Sequence, residues 1–147
     1  MSGNDVTFWD SVDRIRESEG RYRREAYGFV VAALGRTVED LPAERRDDPD
    51  RRHLTGRELL DGVVRLARRE FGVLAATVFR EWGVVGSEDV GRIVFALVES
   101  GQLAARPEDR IDDFRDGEDL LRALGDALEP GEDLPGRRLK GARRADG

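Results

Sequence analysis

The stretch 55–103, TGRELLDGVVRLARREFGVLAATVFREWGVVGSEDVGRIVFALVESGQL, constrains the fold more than any other part of this chain. It reads as three helices in close succession, with most of their starts and stops written in residue chemistry. Thr55-Gly56-Arg57-Glu58 fits a capping box, in which the Thr55 hydroxyl accepts from the Glu58 amide and the Glu58 carboxylate reaches back to the Thr55 amide. Leu54, just before the cap, is placed to staple onto Leu59. Leu59/Leu60, Val63, Leu66/Ala67 and Phe71 then recur at three- and four-residue steps, with Arg57, Asp61, Arg65, Arg68 and Arg69 mostly on the other side. Gly72 is the natural stop. A second helix over 73–82 carries Leu74, Val78 and Trp82 at four-residue steps and ends at Gly83. Ser87 is expected to cap a third, with Glu88 and Asp89 in its first turn, Val90, Ile93/Val94 and Leu97/Val98 as its buried stripe, and Gly101 as its stop. Connections this short force neighbouring helices to fold back and share a core.

The flanking regions add helices. Trp9, Val12 and Ile15 repeat within 6–18, predicting a short amphipathic helix. From Tyr22, the residues Ala26, Phe29/Val30, Ala33/Leu34, Thr37/Val38 and Leu41 follow at helical spacing, with Arg24, Gly28, Gly35 and Arg36 opposite. Glycine inside a helix costs roughly 1 kcal/mol against alanine, so either close packing or a kink near Gly35 is expected. Residues 42–53, PAERRDDPDRRH, have two prolines and no apolar anchor and read as a mobile surface loop. Beyond the central stretch, 102–106 and 110–114 around Pro107-Glu108-Asp109 leave room for a short β-hairpin. Asp116 is placed to cap a last helix with Leu120/Leu121, Leu124, Ala127 and Leu128 on its stripe. The expected fold is therefore mainly α: a compact helical domain over 6–128, winged-helix-like in its C-terminal half if the hairpin forms, and a disordered charged tail over 129–147.

Composition excludes several chemistries. The 147 residues include no cysteine, so disulfides, thiolate metal sites and cysteine nucleophiles are out. No apolar run is long enough to cross a bilayer, and the N-terminal residues lack the pattern of a secretory signal, so a cytoplasmic protein is expected. The net charge of −6 argues against general nucleic-acid binding. It is unevenly spread: residues 55–98 balance six acids with six arginines, whereas 99–126 carry nine acids and four arginines. Lys140 is the only lysine.

The single histidine, His53, has neither a cysteine nor a second histidine to build a metal site with it. The acidic run 108–119 lacks the calcium-loop pattern and reads as a solvated face. Gly83-Val84-Val85-Gly86-Ser87 follows a helix and lacks a Gly-Lys-Ser/Thr ending, so it is not a phosphate loop. In a winged-helix reading, 87–100 would be the recognition helix, yet its charges (Glu88, Asp89, Arg92, Glu99) and those of the hairpin would repel phosphates. No catalytic residue, metal or cofactor is expected. His53, Arg57, Arg65, Arg68 and Arg69 are the candidate partner-binding residues. Tyr27 and Phe95, which lie off the main stripes, are candidate interface aromatics.

Five strings, YRREAYGFVVAAL (22–34), RHLTGRELLDG (52–62), EFGVLAATVFREWGV (70–84), SEDVGRIVFALVESGQL (87–103) and DDF (112–114), together resemble a conserved family of small bacterial proteins of unknown function, of the type found in planctomycetes and verrucomicrobia. The resemblance spans roughly 8–115 and implies no catalytic or binding residue. Where that family continues with an aromatic-rich segment, this chain has GEDLLRALGDAL and a charged tail. The function expected is a non-enzymatic protein-interaction or adaptor domain. Its alternatives are a winged-helix-like regulator contacting nucleic acid and an enzyme using Asp/Glu and His53.

Overall fold

Thr55 begins the central helix in the way its sequence dictates. Its hydroxyl accepts from the Glu58 amide at 3.0 Å, and Glu58 Oε1 accepts from the Thr55 amide at 2.9 Å. In the computed structural model, which describes residues 3–51, 53–103 and 120–125, the helices are α1 (Gly3–Ser18), α2 (Arg24–Glu39), α3 (Ala43–Arg46), α4 (Gly56–Phe71), α5 (Ala75–Trp82), α6 (Ser87–Glu99) and α7 (Leu120–Ala123). A 3-10 turn, Gly72–Leu74, joins α4 to α5. The described residues are mainly helical and contain no strand. The segment in which the hairpin was expected lies almost wholly outside them, as do the acidic run and the C-terminal tail.

The core is assembled from the predicted stripes. Leu59, Leu60, Val63 and Ala67 of α4, Val90, Ile93 and Leu97 of α6, and Ala26, Val30 and Ala33 of α2 are all buried. Val12 of α1, Leu120 of α7 and Leu124 just beyond it complete the same cluster. Helices α2 and α4 come so close that a Cβ built on Gly62 would lie 1.9 Å from Thr37 Oγ1. The buried Thr37 hydroxyl turns back on its own helix and donates to the Ala33 carbonyl at 2.7 Å. Of the two glycines within α2, Gly28 is explained by packing: a Cβ there would meet the Trp9 ring of α1 at 2.8 Å, and Arg24 covers that ring at 4.5 Å from its centroid. The helix runs through Gly35 unbroken.

Several sequence expectations are corrected. The buried face of α5 is Ala75, Ala76 and Phe79, whereas Leu74 is 58% exposed. The 3-10 turn winds three residues per turn instead of 3.6, so it takes Leu74 out of the helix and shifts the phase of the stripe. Val78 and Trp82 remain half-buried. Trp82 joins Phe29, Phe71 and Phe79 in an aromatic group with ring centroids 5.4–5.7 Å apart. Tyr27 is a core residue, 1% exposed, and not an interface residue. Ser87 is the first residue of α6 and not its cap. Gly86 holds the cap position, and the side chain of Asp89 accepts from the Gly86 amide.

The 42–53 segment is also not a free loop. Pro42 precedes the single turn α3, and Arg45 from that turn reaches Glu58 with both terminal nitrogens, at 2.6 and 2.8 Å. Arg45 also donates to the carbonyls of Arg51 (2.6 Å) and His53 (3.0 Å). The segment is anchored by one charged side chain in place of an apolar one, which hydrophobic periodicity cannot reveal.

Glu58 thus serves α4's cap and the α3 turn together. Its carboxyl is held down at about 2, chiefly by Arg45 and further by the Thr55 amide, against an opposing effect of partial burial. A depressed acid stabilises the fold above its unfolded pKa, near 4.5, and that contribution is lost as pH falls through about 2. Glu58→Gln should therefore lower stability by about 1–2 kcal/mol at neutral pH, the scale of a lost cap and a lost charged hydrogen bond. Urea unfolding at pH 7, 4 and 2 should show the gap between variant and parent closing toward pH 2. A gap independent of pH would contradict this role. Gly62→Ala should cost about 1–3 kcal/mol by overpacking the α2–α4 seam. An unchanged urea midpoint would contradict the seam geometry.

Candidate functional site

Because one side of α4 is committed to the core, its other side is a fixed platform. Arg57, Asp61, Arg65, Arg68 and Arg69 stand on it, all exposed. Arg57, Arg65 and Arg68 rim a cleft of about 370 Å³ whose floor includes Leu60, Val64, Leu120 and Ala123. Arg65 and Arg69 also border a smaller hollow of about 40 Å³, closed on its far side by Arg36, Thr37 and Asp40 of α2 and its C-terminal end. Two adjoining depressions therefore share Arg65 as their common wall.

The charges here are only loosely compensated. Arg57 and Asp61 approach to 3.4 Å and Arg36 and Asp40 to 3.7 Å, with every one of these side chains about half exposed. Solvent-exposed pairs of this kind contribute little, on the order of 0–1 kcal/mol. Arg68 Nη1 lies 3.4 Å from the Ala123 carbonyl. Arg65 and Arg69 have no ion-pair partner among the described residues. Among the described residues, the face consequently carries five arginines against two carboxylates, on a chain whose net charge is −6.

Four of the five residues anticipated from sequence converge on this face. His53 does not. It lies half-buried ahead of α4, its backbone carbonyl held by Arg45, and lines neither depression. The described residues contain no group of three His, Cys, Asp or Glu side chains placed to hold a metal ion. Arg36 and the apolar floor escaped the sequence reading, because periodicity orients each helix but does not say which helix lies beside it.

A second polar centre joins Tyr22 to the start of α6. The Tyr22 hydroxyl, on a buried ring, donates to Asp89 Oδ1 at 2.6 Å. Asp89 Oδ2 accepts from the amides of Val85 and Gly86 at 2.9 and 3.0 Å, and Arg92 Nη1 donates to Oδ1 at 3.1 Å. The backbone amides of the 83–87 loop that an anion would seek are thus already served by the chain's own carboxylate. On the adjoining strand of loop, Arg23 N donates to the Trp82 carbonyl, and Gly83, at φ +86°, brings its Cα so near the Arg21 carbonyl that a Cβ would lie 2.5 Å from it. A separate groove of about 680 Å³ runs between α1 and α6, with Ile15 and a half-buried Phe95 among its lining residues.

No family model matches this chain, and neither does any curated protein or solved structure.

Burial, followed by the hydrogen bond to Asp89, pushes the Tyr22 phenol up to about 12, with Arg92 opposing. A raised folded-state pKa means that this contribution is complete below pH 10 and is lost as pH rises through about 12. Spectrophotometric titration of the native protein should show both phenols ionising late, because burial raises Tyr27 as well, and Tyr22→Phe should remove one of the two steps. The same substitution should cost about 1–2 kcal/mol by leaving Asp89 short of a donor. A Tyr22 phenol titrating near 10 in the folded chain would contradict the assignment.

Proposed function

We propose that this chain is a non-enzymatic protein-interaction domain that works in the cytoplasm through the outer face of α4. One observation carries the reading. Arg57, Arg65, Arg68 and Arg69 stand on a helix whose opposite side is locked into the core, so the face is presented without a further ordering cost to the backbone. Arginine suits this role because its planar fork engages carboxylates in two-point contacts. No helix of the described residues is long and apolar enough to cross a membrane.

The resemblance to the bacterial family of unknown function stays within this proposal. Most of the strings behind it fall on the packed helices α2, α4, α5 and α6, where the fold itself makes demands on sequence. A winged-helix regulator ranks second. The order α4–α5–α6 is its only ground: no strand follows among the described residues, the first turn of the would-be recognition helix presents Glu88, and Arg92 is engaged by Glu88 and the buried Asp89 at 3.8 and 3.1 Å. Catalysis through His53 ranks third, since neither depression on the α4 face includes that residue.

The test is reconstitution. A protein captured by this chain from its native lysate should rebind, once purified, in a defined stoichiometry by light scattering, and Arg65→Gln/Arg69→Gln should weaken that complex at least tenfold. Turnover of a substrate by the isolated chain, with no partner that rebinds, would overturn the reading. A steeply salt-dependent shift of duplex DNA would favour the regulator instead.

A further inference from the structure

The α4 face has a shape as well as a sign, and the two together specify what fits it. Residues 57, 61, 65 and 69 fall at four-residue steps, so the ridge from Arg57 to Arg69 extends over about 18 Å at 1.5 Å per residue. An extended peptide rises ~3.3 Å per residue, so roughly five or six residues would run its length. The larger depression is arginine at its rim and apolar at its floor, where Leu60 and Val64 lie. Arg36 enlarges the basic area from α2.

We infer that this surface binds a short acidic segment of a partner protein, with carboxylates on the Arg57, Arg65 and Arg69 guanidinium groups and an apolar side chain seated over Leu60 and Val64. The inference rests on the interaction-domain reading and adds the partner's chemistry to it. Carboxylates satisfy the forks of Arg65 and Arg69, which have no ion-pair partner among the described residues, with charge-assisted, two-point hydrogen bonds. The apolar floor distinguishes such a segment from nucleic acid, whose backbone offers phosphates throughout and nothing to desolvate the half-buried Val64 and Ala123. The chain's net charge of −6 adds to the selectivity, because it disfavours a long polyanion.

The test uses the full chain and a labelled hexapeptide that alternates acidic residues with leucine, followed by fluorescence anisotropy at physiological salt. Two variants carry the same change of charge. Arg65→Gln/Arg69→Gln alters the ridge, and Arg14→Gln/Arg23→Gln alters exposed arginines away from it; all four side chains are exposed, so both variants should fold, which thermal unfolding checks. The expected result is binding by the parent and the Arg14/Arg23 variant, with affinity at least tenfold weaker in the Arg65/Arg69 variant. The amide form of the peptide, with Gln and Asn for the acids, should not bind. Equal weakening in both variants would overturn the proposal, because it would reveal diffuse attraction. Tighter binding of a short DNA duplex than of the peptide would also overturn it. So would an absence of peptide binding, and a complex reconstituted with a purified partner would then still uphold the broader interaction reading.

Discussion

The near-contact of α2 with α4 is the constraint on which the rest of the molecule depends. Gly62 leaves no side chain between the helices, and the space it vacates is taken by Thr37. Both helices bury small residues, Ala26 and Ala33 on one and Ala67 on the other, alongside Val30 and Val63. Close approach of this kind raises dispersion contact per residue and leaves little room for side chains to re-pack. It also fixes the rotation of α4 about its axis, and that rotation decides which residues point outward. A helix turned by a single residue would send the arginines of α4 toward apolar neighbours.

Two polar clasps brace this arrangement. At one, Arg45 and Glu58 tie the start of α4 to the turn before it. At the other, Tyr22 and Asp89 tie the chain entering α2 to the start of α6 across 67 residues of sequence. Each uses a carboxylate that also serves a helix N-terminus, so capping and tertiary contact are coupled. Both carboxylates are well supplied with donors, which is what makes their partial or full burial tolerable.

Local chemistry was the legible part. Thr55 and Glu58 announced the start of α4, and Gly72 and Gly83, both at positive φ, announced two stops. The stripes of α2, α4 and α6 were readable because each helix is long enough for its period to stand out. The eight-residue α5 was not: its phase is set by the preceding 3-10 turn, and two alanines do the burying that Leu74 was expected to do. The tertiary roles of Arg45 and Asp89 were invisible for a different reason. A charged residue matters by its partner, and partners 13 or 67 residues away leave no periodic trace. For the candidate site, the arginines on α4 were found by helical spacing alone, whereas His53 stood out by rarity, a property unrelated to position.

A double-mutant cycle between positions 37 and 62 tests the central claim most directly. If the helices meet as described, Thr37→Ala makes room for the methyl group of Gly62→Ala, and the double variant should be more stable than Gly62→Ala alone, with a coupling of about 1 kcal/mol or more. Additivity within about 0.5 kcal/mol would mean that the two positions do not touch, and the orientation of α4 and its arginine face would lose its basis.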